Sequence, residues 1–369
     1  MTSAGEPLPT RRQLDRRATR YAIRRTWHGF ILHRDIDAAA AITFYSALSL
    51  FPAALTLVSG LALFDSGDAT IELILDVVGR LSQPDTTQAV RAILDQLSLV
   101  PNSGWALVIG TVFTLWTVSS FSTAFGRAMN NVYEVEEGRR LTKNRILMLG
   151  VAAGLIACFL VIGVIVAITP SVAAALVASL GWPGIVAELW SALKWIPLAL
   201  VAVFTVGFLY YGTPNLHRRR LRWLSVGATF TVATWTLAAL LFGFYLTVFA
   251  TYDRLYGWLG VPIAALIWLY ISSAVLMIGV EVDAELTRAR QLLAGLPAEE
   301  TIQVPLRDTA RTSILARRWS ADLSDGRELR RLSHLLRETE GDPTEAPGQT
   351  PRPRPGRSPA ARRSRARAR

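Results

Sequence analysis

The residues of this chain best suited to metal or nucleophilic chemistry are four histidines, His28, His33, His217 and His334, and one cysteine, Cys158. The histidines are scattered without metal-ligand spacing, and a single cysteine allows neither a CxxC site nor an intramolecular disulfide. No GxxxxGK[ST] loop, HExxH helix or GxSxG elbow occurs. The expectation is a protein that is not an enzyme and that uses no metal or cofactor.

What the chain does offer is hydroxyl stripes. Thr43, Ser46 and Ser49 stack at helical spacing ahead of Pro52, Thr111, Thr114, Thr117 and Ser120 form a second stripe, and Thr229, Thr231, Thr234 and Thr236 form a third. Such stripes either hold helices together through small side chains and interhelical hydrogen bonds or line a cavity open to water or an amphiphile. On the second reading Thr43, Ser46, Ser49, Thr114 and Thr117 are the lining, and Pro52 and Pro197 mark bends in its walls. The apolar stretches expected to span the membrane hold no internal acid or base, which argues against a proton-coupled pump.

The elements that must carry these stripes follow from where charge is missing. The chain has 369 residues, 51% hydrophobic and 18% charged, against roughly a quarter charged in soluble domains. Six windows are almost free of charge: Ala38–Phe64, Gly104–Gly126, Ile146–Ile168, Trp195–Leu216, Trp223–Tyr252 and Leu255–Val280. Each exceeds the ~20 residues that cross ~30 Å of hydrocarbon as a helix. Backbone polar groups must be satisfied internally in lipid, and the windows do not alternate in polarity, so they are helices rather than barrel strands. The fold class is an all-α integral membrane protein with six transmembrane helices, an extracytoplasmic amphipathic helical hairpin and a cytoplasmic disordered tail.

Arginine asymmetry orients it. Basic residues crowd before the first window (Arg11 to Arg34), after the second (Arg127, Arg139, Arg140, Lys143, Arg145), after the fourth (Arg218, Arg219, Arg220, Arg222) and throughout the C-terminal segment. These segments are cytoplasmic by the positive-inside rule, so both termini lie inside. The stretch Thr169–Leu193, broken at Gly181-Trp182-Pro183-Gly184, is read as a re-entrant or interfacial hairpin, because neither half is long enough to span.

Four regions result. Residues 1–36 are a basic segment in which Ile23, Trp27, Phe30 and Ile31 are helically spaced, fitting an amphipathic helix on the anionic inner leaflet or a plain basic anchor. Residues 37–280 hold the spans, with the outer hairpin at Asp65–Ser103 signalled by Ile71, Ile74, Leu75 and Val78, then Val90, Ile93, Leu94 and Leu97. Residues 281–340 are charged, and 341–369 are rich in Arg and Pro. Membrane lipids are the expected partners, anionic ones at the basic segments, and nucleic acid is not expected.

Polar motifs gather at the inner ends of the spans: Asn130, Tyr133, Glu137 and Arg139 after the second, Pro214 and Asn215 after the fourth, Glu281 and Asp283 after the sixth. All meet at one depth if the spans are antiparallel neighbours. Arg139 pairing with Glu281 or Asp283 would lock those ends, and an inner gate or headgroup site is the alternative reading.

Ala41-Ile42-Thr43-Phe44-Tyr45-Ser46-Ala47-Leu48-Ser49-Leu50-Phe51-Pro52, Trp116 with Ser119, and the loop Asn130-Asn131-Val132-Tyr133-Glu134-Val135-Glu136-Glu137-Gly138-Arg139 carry a resemblance. So do Tyr211-Gly212-Thr213-Pro214-Asn215, Trp223, Gly227-Ala228, Tyr252, Tyr256-Gly257, Trp268-Leu269-Tyr270 and Gly279-Val280-Glu281-Val282-Asp283-Ala284-Glu285. In this order they resemble the YihY/virulence factor BrkB family of bacterial inner membrane proteins, which once bore the label ribonuclease BN. Asp283 departs from the Asn common in that family. The resemblance spans roughly Arg25–Arg288 and implies six spans with cytoplasmic ends. It also brings the proposal that such proteins move lipids or other amphiphiles. A scaffold or assembly factor of the envelope is the competing expectation, and a membrane-tethered ribonuclease the third, disfavoured by the missing metal-ligand clusters.

Overall fold

The computed structural model describes residues 11–62, 103–217, 226–248 and 260–340, together with Leu75 and Arg91. The hairpin expected over Asp65–Ser103 lies outside the described residues apart from Leu75, Arg91 and Ser103. So do the motif residues Trp223, Tyr252, Tyr256 and Gly257 and the tail at 341–369.

Ten helices are described: α1 Arg11–Leu32, α2 Asp35–Ala62, α3 Ser103–Val132, α4 Leu141–Ala167, α5 Pro170–Ser179, α6 Ile185–Leu193, α7 Trp195–Gly212, α8 Val226–Val248, α9 Gly260–Leu293 and α10 Ala310–Glu340. Six of them, α2, α3, α4, α7, α8 and α9, are long and apolar enough to cross a membrane. They are the six windows of the sequence with shifted ends. The largest shift is in α9, which continues past Val280 to Leu293 because Glu281–Leu292 is itself a run of good helix formers with no Gly or Pro. The chain divides into two units, Met1–Ser313 and Ile314–Arg369. In the second, the described part is one helix that exposes Leu315, Trp319 and Leu323.

Within the first unit the spans pack in a closed cyclic order, α2 against α3, then α4, α7, α8 and α9, which returns to α2. The buried core lies in one half of this ring. It is built from Ala39 and Ile42 of α2, Phe125 and Met129 of α3, Val151 and Leu155 of α4, Leu209 and Tyr210 of α7, and Met277, Val280 and Ala284 of α9. The other halves turn large apolar side chains outward, among them Phe51, Trp105, Phe113, Phe159, Trp195 and Phe244. Outward apolar surface of this extent is what lipid as solvent requires.

The basic N-terminal helix α1 lies along α9. Ala22 is buried there, while Ile23, Trp27 and Ile31 remain exposed. Phe30 packs with the core, apart from the other three apolar residues, so the expected four-residue face is divided between protein and surroundings.

Residues 169–193 form a hairpin of two short helices. Thr169 caps α5 by accepting the Val172 N–H at 3.4 Å, Pro170 occupies the first turn where its missing N–H is harmless, and Gly181 takes φ +66° at the exit. Pro197 falls in the first turn of α7, contrary to its expected place at a bend within a span. Its missing N–H deprives the Leu193 carbonyl of an i+4 partner, and the helix breaks there at Lys194. Pro52, by contrast, stays inside an unbroken α2.

One close approach in the core has a measurable consequence. The Tyr210 hydroxyl pairs with Thr231 at 2.9 Å and donates to the Leu276 carbonyl at 2.7 Å, stitching α7, α8 and α9. A Cβ at Gly279 would overlap both the Thr231 and Tyr210 oxygens. Gly279→Ala is therefore expected to cost about 1–3 kcal/mol, typical of forced overpacking. A lower melting temperature of the purified variant in detergent, partly restored by adding Thr231→Ala, checks this.

Candidate functional site

The motif residues do converge, at the end of the ring that holds the core. α3 ends at Val132, and Glu134 turns the chain out of it with φ 53°, a left-handed conformation usual just beyond a helix C-terminus but unusual for Glu. The loop that follows returns toward α3, so that Asn130 donates to Glu137 Oε2 at 3.0 Å. Arg139 grips the same carboxylate with Nε at 2.7 Å and Nη2 at 2.6 Å, and its own backbone N–H adds a third bond at 3.0 Å. The guanidinium also reaches the Thr213 carbonyl at 2.8 Å, at the end of α7. This is a bidentate ion pair with a fixed orientation.

Asn130 links this pair to the Pro-Asn motif by accepting the Asn215 N–H at 2.9 Å. The Asn215 side chain then donates to the Glu136 and Asp308 carbonyls at 3.1 and 2.8 Å and accepts from the Asp308 N–H at 3.1 Å. Asp308 belongs to the segment after α9, which folds back here and makes an isolated antiparallel bridge between Leu306 and Leu216. Lys143 of α4 holds the Asp308 carboxylate at 2.7 Å. Four elements thus meet on Asn130 and Asn215, two side chains that both donate and accept.

Electrostatics follow the geometry. Burial pushes the Glu137 carboxyl up, but the hydrogen bonds and charge of Arg139, with Asn130 adding a further bond, outweigh it and hold the group below its ordinary value of 4.5. The hydrogen bond from Lys143, followed by that from the Ala310 N–H, does the same for Asp308.

A second knot lies beside the first, between α1, α2, α9 and the start of the Glu134 loop. Arg288 is fully buried and directs Nε to Glu285 at 3.2 Å, Nη2 to Glu134 at 3.3 Å and Nη1 to the Ala298 carbonyl at 2.9 Å. Arg25 of α1 approaches Glu285 at 3.5 Å. His33 Nδ1 stands 2.5 Å from Glu281, and Tyr133 donates to Asp283 at 3.0 Å. Because Asp283 accepts in that bond, an Asn in its place has an oxygen that would serve as well.

These contacts correct the expected lock. Arg139 is committed to Glu137 and Thr213, not to Glu281 or Asp283, because the Glu134 turn brings Glu137 back within two residues of it. Glu281 and Asp283 belong to the second knot. Pro214 lies buried between Thr213 and Asn215. Residues that the sequence did not mark as members of the site complete the arrangement: His33, Lys143 and Glu285, named above for other reasons, and Asp35, Arg288 and Asp308. A signal existed for some, since Glu281, Glu285 and Arg288 share one helical face at i, i+4 and i+7.

The hydroxyl stripes are occupied with helix contacts. Thr43 bonds the Ala39 carbonyl at 2.8 Å and Ser273 of α9 at 3.0 Å; Thr114 bonds the Gly110 carbonyl at 2.7 Å and Thr56 of α2 at 3.1 Å. Ser46, Ser49 and Thr117 bond carbonyls of their own helices. Among the described residues, no group of three or more His, Cys, Asp or Glu is placed to hold a metal ion.

Comparison with known proteins gives a consistent result. The chain is 28% identical over 265 residues to the ribonuclease-like protein YfkH of Bacillus subtilis, covering 71% of this chain and 94% of that protein. It is 26% identical over 269 residues to a UPF0761 membrane protein of Pseudomonas aeruginosa, covering 71% of this chain and 62% of that longer protein, less than two thirds of its length. A UPF0761 membrane protein of Aliivibrio salmonicida is 25% identical over 284 residues, covering 74% of this chain and 88% of the relative. No solved structure matches. The family model described as Virulence factor BrkB matches residues 26–301, an interval that contains all six spans and most of both polar knots, leaving out Arg25 and Asp308, and the chain belongs to that family of multi-pass membrane proteins.

Proposed function

We propose that this protein is a non-enzymatic component of the bacterial cytoplasmic membrane that binds or translocates a lipid or another amphiphile, with both termini in the cytoplasm. The carrying observation is where the packing lies: the buried core and both polar knots occupy one end of the ring, and large apolar side chains are exposed along the spans. A ring sealed by ion pairs at its inner end and apolar toward the other suits a molecule with a charged head and a hydrocarbon body. The sealed end is then an inner gate, with Arg139 and Arg288 as the cations nearest a headgroup. The ribonuclease-like wording belongs to the Bacillus relative's name, and among the described residues no cluster of His, Cys, Asp or Glu supports carrying it over.

The test is reconstitution into liposomes carrying a labelled phospholipid in one leaflet. Transfer of label above that of protein-free liposomes is expected. Well-folded protein that moves no label across a panel of headgroups overturns the transport reading. A scaffold is the second reading, favoured by one observation: Thr43–Ser273 and Thr56–Thr114 spend the hydroxyl stripes on holding α2 to its neighbours.

A further inference from the structure

Asp35 opens α2, and both of its carboxylate oxygens are buried without a hydrogen-bond partner. It faces Glu281 of α9, whose Oε2 is likewise buried and without a partner. The two residues are 1% and 0% exposed. Glu281 reaches this position because α1 has Gly29 opposite it, where any Cβ would run into the carboxylate.

The cations nearby are already engaged. Arg25 of α1 turns to Glu285, and His33, just beyond α1, to the other oxygen of Glu281. On α9, Arg288 is shared by Glu285 and Glu134, the latter at the end of α3, and Asp283 accepts from Tyr133. Arg34, between α1 and α2, is exposed and pairs with Asp37. Two buried carboxylates side by side, with no cation for Asp35, would repel strongly at low dielectric. One proton between them turns two acceptors into a donor and an acceptor and removes one of the two charges. The remaining charge sits at the N-terminus of α2, where the helix dipole favours it.

We propose that Asp35 and Glu281 form a proton-binding site, one proton shared between two buried carboxyl groups, with His33 as the group through which that proton exchanges. His33 is the exchange group because its ring lies 2.5 Å from Glu281 Oε1 and its side chain keeps 10% exposure where Glu281 has none. Its carbonyl is held by Asn131 of α3 at 2.9 Å, which fixes the α1–α2 corner over the pair. The bound proton keeps this corner docked on α9, and its loss sets two negative charges face to face and loosens the contact. A proton fits better than a metal ion because no three donors converge there. The site does not depend on the amphiphile reading.

Infrared spectroscopy of the purified full-length protein, with aspartate labelled isotopically at its side-chain carboxyl, tests the site directly. A C=O band of a protonated carboxylic acid is expected at neutral pH, shifted by the label, lost on adding alkali and absent from Asp35→Asn. Hydrogen–deuterium exchange across α1 should rise several-fold in the wild type over the same alkaline change and stay low in Asp35→Asn, which keeps the neutral form. His33→Gln should retain the band and slow its loss after a pH jump; an unchanged rate removes His33 from the proposal. The site is overturned if no such band exists at neutral pH, if the band persists in both Asp35→Asn and Glu281→Gln, or if added sodium abolishes it at constant pH. Should Asp35→Asn not fold, the labelled wild-type titration decides alone.

Discussion

Arg139→Ala is expected to destabilise the folded protein by about 3–5 kcal/mol, the usual cost of removing one partner from a buried ion pair. The guanidinium is 2% exposed and bonds both oxygens of Glu137 and the Thr213 carbonyl, so its removal leaves a half-buried carboxylate and a helix-end carbonyl unsatisfied at once. Arg139→Lys should recover only part of the loss, because an ammonium cannot reproduce the two parallel bonds to one carboxylate. The measurement is a chemical or thermal unfolding curve in detergent at neutral pH.

The pH dependence gives an independent check on the same residues. Glu137 has its folded value lowered below 4.5, so the stability it contributes is fully present above 4.5 and lost as pH falls through the lower folded value. In Arg139→Ala only the Asn130 hydrogen bond still opposes the burial contribution, and protonation of Glu137 becomes easier. The stability gap between wild type and variant is therefore expected to narrow as the pH is lowered past 4.5. A gap that stays constant over that range would show that Arg139 acts through packing rather than charge.

Arg288→Met should be as damaging, again about 3–5 kcal/mol. Methionine fills much of the volume, so the cost isolates the lost charge and donors rather than a cavity. Arg288 joins α9 to the Glu134 turn and to the Ala298 carbonyl in the segment that folds back after α9. Its loss leaves Glu285, 2% exposed in its side chain, with Arg25 alone at 3.5 Å. The distinguishing readout is limited proteolysis: residues 294–309 should become cleavable in Arg288→Met while the spans remain protected. Adding Glu285→Gln is expected to restore part of the stability, since it removes the carboxylate left without its closer partner.

How far the sequence reaches can be judged element by element. Six charge-free windows determine six membrane helices, because backbone hydrogen bonding in lipid permits nothing else at that length and polarity. The same argument limits Thr169–Leu193 to a hairpin, and α5 and α6, with 10 and 9 residues, have that length. Helix ends are less legible. Hydropathy stops the last span at Val280, yet α9 continues to Leu293 because helix propensity does not stop where apolarity does.

For the site, residue types and order are enough to name Asn130, Tyr133, Glu137, Arg139, Asn215, Glu281 and Asp283 as neighbours at one end of the bundle. They cannot pair them. The left-handed turn at Glu134 gives Arg139 to Glu137, and the return of residues 298–309 brings Asp308 onto Asn215. His33, just after α1, meets Glu281 only because α1 folds back along α9, and Asp35, at the start of α2, comes to face the same residue. Local composition thus determines that one end of the bundle of spans is polar. Which charge meets which was decided by tertiary structure, because partners such as His33 and Glu281 stand 248 residues apart in the sequence and even Glu137 and Arg139 meet only through the fold of the loop that follows the Glu134 turn.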